Sequence, residues 1–266
     1  MKSKKEEALE RKILHMLDGR AKKLAELLFS DPEVQHLQNY ANNVSIKRLG
    51  FNDHGPVHMR KVVLNAVTML DILQKANVKL NLEKEEIGDF EDSKCAVLLA
   101  SFLHDLGMGI GREKHEQMSI LLCYPVIDRL LKEVYEDDLE KRVIVRSLAL
   151  EGIAGHMATQ KIHSLEAGLI LVADGCDMEK GRARIPMMLN TESRVGDIHK
   201  YSSASIDEVQ ILPGENKPLR INIIMSASVG FFQVEEVLLG KINVSPVKQH
   251  IELYAWVKDR EVKRYL

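Results

Sequence analysis

Cys95-Ala96-Val97-Leu98-Leu99-Ala100-Ser101-Phe102-Leu103-His104-Asp105 is the stretch that decides the fold. It carries no polar stripe at helical spacing, so residues 92–106 predict a helix buried on every side, stopping at Gly107. The apolar run is too short to cross a bilayer. It ends in a carboxylate, and an ionised Asp is almost never buried without a partner. Left unpaired there it would cost several kcal/mol. A divalent cation is one compensation; a capping interaction at the helix end is the other. A second run, Ala167-Gly168-Leu169-Ile170-Leu171-Val172-Ala173, meets Asp174 in the same way.

Outward from these two runs the pattern stays helical to about residue 180. Leu9, Ile13, Leu17, Leu24 and Leu28 predict one amphipathic helix over 6–28. Ser30-Asp31-Pro32 ends it and starts the next, because Pro suits a first turn. Asn52-Asp53 offers a cap for a helix with Pro56 in its first turn, running to about Ala76. Further helices are expected at about 113–123, 125–134, 138–155 and 164–175, the last capped by Ser164. Residues 182–204 read as a long loop or broken helix. Beyond Ser205 the period changes. Ile206–Leu212 and Leu219–Met225 alternate as strands about a turn rich in Pro and Gly, Phe231–Ile242 reads as helix, and Ile251–Val257 reads as a third strand. The expected fold is mainly α, a helical domain over 1–204 with a core at 50–180, followed by a small α+β (ββαβ) appendix over 205–266.

Composition narrows the function. With 266 residues and 45% apolar content, a sizeable core is affordable. A net charge of -2 gives no field to hold a nucleic-acid duplex or an anionic membrane. Three cysteines without CxxC spacing argue against both a disulfide framework and a thiolate zinc site. The charged N-terminus has no apolar signal region, so a soluble cytoplasmic protein is expected.

Five places carry candidate chemistry: His58, His104-Asp105, His115, His156 and Asp174. A His-Asp pair alone says little, since ten His and fifteen Asp in random order give about 0.6 such pairs. His58 shares a helix face with Val62 and Ala66, where a histidine is ordinarily a satisfied core residue. His54, one turn earlier, is a candidate supporting partner or simply exposed. His115 and His156, each alone, are ordinary surface histidines. As a set, imidazole and carboxylate suit Mn, Fe, Co, Ni, Zn or, less well, Mg.

The order of these residues resembles the HD-domain metal-dependent phosphohydrolases, in which a first His, an adjacent His-Asp and a later Asp lie on different helices. The matching segments are His58-Met59-Arg60-Lys61-Val62, Leu103-His104-Asp105-Leu106-Gly107 and Val172-Ala173-Asp174-Gly175-Cys176-Asp177, within residues 50–180. Members with two metals add two His between the pair and the last Asp, where His115 and His156 stand. The resemblance implies an enzyme that hydrolyses a phosphomonoester or phosphodiester, such as a nucleotide or other small phosphorylated metabolite, with a metal-activated water. It implies His58, His104, Asp105 and Asp174 around a first divalent ion. Asp105 would bridge to a second, completed by His115 and His156, with His104 and Asp105 at the reacting centre. Some members carry Lys or His just after the His-Asp-x-Gly turn; here Met108 follows Gly107. Candidate phosphate-binding groups are therefore Arg112, Lys114, Lys180, Arg182 and Arg184; the last three follow Asp174 closely, and their plain reading is a solvated loop. Two other readings stay open: a non-catalytic metal- or nucleotide-binding sensor, and a di-iron oxygenase of related ligand architecture. A strand edge in the appendix also offers a route to a homodimer.

Overall fold

Asp89 opens the central helix. Its carboxylate accepts from the Asp92 amide while Asp92 accepts from the Asp89 amide, so the two orphan donors satisfy each other. The computed structural model describes residues 2–181 and 197–266. In it this helix, α6 (Phe90–Leu103), is buried from Asp92 to its end. Around it lie α1 (Lys4–Met16), α2 (Gly19–Ser30), α3 (Pro32–Asn43), α4 (Pro56–Lys75) and the short α5 (Asn81–Lys84). The long α7 (His115–Tyr135), α8 (Leu139–Gly155) and α9 (Leu165–Gly175) complete the shell. The helices α2, α4, α8 and α9 pack directly against α6. A further helix spans Asp197–Ala204. The mainly α expectation holds.

Two helix boundaries differ from the periodic pattern. The expected helix over 6–28 breaks at Leu17, which is extended, and at Gly19, whose φ of +50° lies in the left-handed region. Leu9, Ile13, Leu17, Leu24 and Leu28 are all buried regardless, so apolar spacing carried no trace of the break. The two helices expected at 113–123 and 125–134 are one, α7, with Pro125 inside it. The helical bond lost to Pro125 falls on Leu121, which is 67% exposed, where water can serve the carbonyl.

Arg60 fixes the helix that carries His58. Fully buried, its guanidinium donates to Glu10 at 2.6 and 2.9 Å, to Gln38 at 3.1 Å and to the Pro56 carbonyl at 2.9 Å. It also lies 4.9 Å from the Phe102 ring centroid. One side chain thus ties α1, α3, α4 and α6 together near the start of α4.

The C-terminal region is a four-stranded sheet in the order β1 (Ile206–Pro213), β2 (Leu219–Met225), β3 (Ile251–Val257), β4 (Lys263–Arg264). The β1/β2 and β3/β4 pairs are antiparallel, and β2/β3 is parallel. Parallel pairing needs a crossover. It is made by the helical turns between Ser228 and His250, chiefly a π-helical stretch Gln233–Leu239 running into Gly240–Val244. The ββαβ expectation therefore gains a fourth strand, two residues long, too short to leave an alternation. Buried β2 and β3 side chains join the same hydrophobic core as α4, α6 and α9. Cys95, Cys123 and Cys176 are free and buried, and burial pushes all three thiols up, Cys95 to about 12. No helix among the described residues is long and apolar enough to cross a membrane.

Candidate metal centre

Each candidate ligand sits at the end of a helix. His58 is in the first turn of α4, and His104 and Asp105 follow the last residue of α6. His115 begins α7 just after Lys114, whose φ of +53° turns the chain into the helix. His156 follows α8, and Asp174 lies in the last turn of α9. Helix ends are where the chain can aim a side chain along an axis into a shared space. Gly107 makes one of these approaches possible: a Cβ there would stand 2.0 Å from the His115 carbonyl oxygen. Its N–H donates to Ser119 Oγ at 2.8 Å, and that hydroxyl donates to the His104 carbonyl. The loop of the His-Asp pair is thereby tied to the helix of His115.

The six side chains converge as the sequence order suggests. His58 Nε2 lies 3.2 Å from His104 Nε2, 3.3 Å from Asp105 Oδ2 and 3.3 Å from Asp174 Oδ1. His104 Nε2 is 3.3 Å from Asp105 Oδ2. On the other side of the same carboxylate, Asp105 Oδ1 is 3.2 Å from His115 Nε2 and 3.4 Å from His156 Nε2. Those two nitrogens are 3.0 Å apart. Asp105 thus gives one oxygen to each of two neighbouring groups able to hold a metal ion, His58/His104/Asp105 and Asp105/His115/His156. All six ligand candidates are buried.

Hydrogen bonding at the far side of each ring tests whether the group fits a metal. His104 Nδ1 donates to the Ser101 carbonyl at 3.0 Å, His115 Nδ1 to the Arg112 carbonyl at 2.9 Å and His156 Nδ1 to the Ile153 carbonyl at 2.7 Å. His58 Nδ1 donates to Asp177 Oδ2 at 2.7 Å. Carbonyls and carboxylates accept only, so all four Nδ1 atoms carry the proton. The four Nε2 lone pairs are then turned on one another at contact distance. That arrangement repels unless a cation sits among them, and it is the disposition by which outer partners aim metal-binding imidazoles.

The two carboxylates stay ionised in this buried setting. Burial alone would raise the Asp105 carboxyl, but His104 and His54 outweigh it and hold it well below the usual carboxylate range. For Asp174 the same burial is outweighed first by Lys241, then by His58 and His104, again leaving it low. Burial lowers His156 to about 4, against the upward pull of Asp105, so it is a neutral donor near pH 7.

The structure also places what the sequence pattern did not assign. Asp177 anchors His58, and Lys61 lies 3.6 Å from its other oxygen. Its signal was present: Asp177 stands three residues after Asp174, the spacing that puts two side chains on one side of a helix end. Lys241, in the crossover between β2 and β3, donates to Asp174 Oδ2 and, at 2.9 Å, to the His156 carbonyl. Nothing local marks it, because the contact joins residues 67 apart in the chain. His54 is buried rather than exposed, its Nδ1 2.7 Å from the Asn52 carbonyl.

The basic candidates fare unevenly. Arg112 and Lys114 lie on the loop whose Arg112 carbonyl holds His115, and the Arg112 guanidinium stacks over Phe51 at 5.5 Å. Lys180 pairs instead with Asp207 of β1 at 2.9 Å and is 61% exposed. Arg182 and Arg184 lie outside the described residues.

Asp177→Asn keeps the shape but weakens the grip on His58 Nδ1. Affinity for the ion at His58 is expected to fall about 10- to 100-fold, read by competition with a chromophoric chelator. An unchanged affinity would show that Asp177 does not orient the ring.

No family model matches the chain, and no solved structure matches it. A curated relative is the uncharacterized protein MJ1020 of Methanocaldococcus jannaschii, 37% identical over 245 residues, spanning 92% of each chain. At that identity across nine-tenths of both proteins, the chain belongs to one family with MJ1020 of Methanocaldococcus jannaschii.

Proposed function

We propose that the protein is a metal-dependent phosphohydrolase of HD type, hydrolysing a phosphomonoester or phosphodiester of a small metabolite, nucleotides included. The observation that carries the reading is Asp105, whose two oxygens face two separate His groups. A carboxylate in that position suits a pair of divalent ions, and paired ions suit displacement at phosphorus. His58, His104 and Asp174 would hold one ion and His115 and His156 the other. Bound there, such ions supply Lewis acidity and a nucleophilic water near neutral pH. The chain's own part is to keep the donors neutral or anionic, aimed and dry. The four Nδ1 bonds fix the tautomers, and burial keeps all six side chains largely out of bulk water. The charges also favour an anion. Asp105 and Asp174 bring two negative charges and Lys241 one positive, so two divalent ions would leave a net positive centre for phosphate. Arg112 and Lys114 are the basic groups beside the second His pair that could meet it.

The test is elemental analysis with an activity assay on full-length protein loaded with Mn, Co, Zn or Mg. Metal-dependent release of nitrophenol from a chromogenic phosphodiester or phosphomonoester is expected. His115→Ala and His156→Ala are each expected to bring the stoichiometry from two ions to one. If both keep the full wild-type metal content, the two-ion reading is wrong. Absence of hydrolysis across a screen of phosphorylated metabolites, together with oxygen uptake by the reduced iron-loaded protein, would favour the oxygenase instead.

A further inference from the structure

Lys241 belongs to the C-terminal crossover, yet its amine ends at the metal centre. Its side chain is only 12% exposed. It donates to Asp174 Oδ2 and to the carbonyl of His156, so it touches a candidate ligand from each half of the cluster. The segment is built to reach there. A Cβ on Gly175 would stand 3.0 Å from Leu238 Cδ1 and 3.3 Å from Lys241 Cδ, so the absence of a side chain on α9 lets the crossover lie against it. A seven-residue stretch of that crossover, Gln233–Leu239, is π-helical, a form that widens the helix and redirects the side chains that follow. Neighbouring Leu238 and Ile242 are buried in the core, which anchors the segment on either side of the lysine.

The carboxylate is divided by this contact. Oδ2 belongs to Lys241, and Oδ1 faces His58 Nε2 at 3.3 Å and His104 Nε2 at 3.8 Å. We propose that Lys241 is a positioning residue of the metal centre: by holding Asp174 Oδ2 it confines Asp174 to one-oxygen ligation and keeps a coordination position free for substrate. The α+β appendix is then a working part of the site rather than an attachment to it. A lysine serving only as countercharge would leave ligand denticity unaffected by its removal. The denticity part of the inference rests on the metal-binding reading of the cluster alone; that the free position serves substrate rests also on the proposed hydrolysis.

Loss of the ammonium removes the Lys241 donor from Oδ2 and a positive charge beside the ion. Both changes favour chelation by Asp174, so the ion should bind more tightly while the open position closes. The experiment titrates metal-free, full-length wild type, Lys241→Met and Lys241→Arg with Co(II), reading visible absorption and affinity. In Lys241→Met the absorption per ion should fall, as it does when cobalt gains a ligand, and affinity should rise, because the like charge beside the ion is gone. Lys241→Arg keeps a cationic donor on Oδ2 and should match wild type. Should Lys241→Met fail a circular-dichroism check for folding, Lys241→Ala, which also lacks a donor, carries the same expectations. A wild-type spectrum and affinity in the uncharged variant overturn the proposal, as does weaker binding in it, or the same spectral change in Lys241→Arg. If wild type itself takes up no cobalt, the metal-centre reading fails with it; if wild type binds and the variants do not differ, the positioning role alone fails.

Discussion

Asp105→Ala is expected to empty the centre of metal and, on the proposed phosphohydrolase function, to abolish hydrolysis in one step. Each other ligand serves one half of the cluster, whereas Asp105 contacts His58 and His104 through Oδ2 and His115 and His156 through Oδ1. Its removal leaves the second half with two neutral imidazoles and no charge to offset a divalent ion. The first keeps only Asp174, already shared with Lys241. Steady-state kinetics should show kcat/KM down by at least about 10³, near 4 kcal/mol of transition-state stabilisation. Elemental analysis should show metal near zero. His115→Ala, by contrast, should keep one ion. Asp105→Ala protein that retained full metal content would place the ions elsewhere and end the bridging interpretation. The variant should still fold, because the alanine leaves no buried charge behind and the bonds that hold His104, His115 and His156 run to backbone carbonyls.

Much of this centre was legible from one dimension. A carboxylate at the end of a buried helix needs a partner, and Asp105 and Asp174 each ended one; the structure brings both to His58. The resemblance then ordered the remaining histidines. What stayed hidden has two causes. Lys241 and Arg60 act across long sequence separations, and no local pattern encodes which acid a lysine will meet. Helix continuity was the other blind spot. The Leu17–Gly19 break and the persistence of α7 through Pro125 both preserve the apolar face, so periodicity reads the same with or without them. Lys180 shows the opposite case. Its nearness to Asp174 in sequence suggested a phosphate contact, whereas the fold pairs it with Asp207 of β1, a carboxylate it shares with Lys258.

Chelation should unfold the protein at a much lower temperature than the metal-loaded form. A ligand bound a thousandfold above its dissociation constant stabilises the folded state by about 4 kcal/mol, so two ions give about 8. At roughly 2 °C per kcal/mol for a chain of this size, a drop in Tm of about 15 °C is expected on calorimetry with EDTA. The origin is local: without a cation the Nε2 atoms of His58 and His104, 3.2 Å apart, and of His115 and His156, 3.0 Å apart, repel. Acid should add to the loss in the metal-free form. His156 titrates near 4 when folded and near 6.5 when free, because burial disfavours its charged form. Between those values the unfolded chain binds the proton that the folded chain refuses, so stability falls as pH falls from about 6.5 to 4. Metal loading should suppress that slope until protons compete for the imidazoles. A Tm indifferent to EDTA at neutral pH would mean that the converging nitrogens are already satisfied without an ion, and the metal centre would have to be given up.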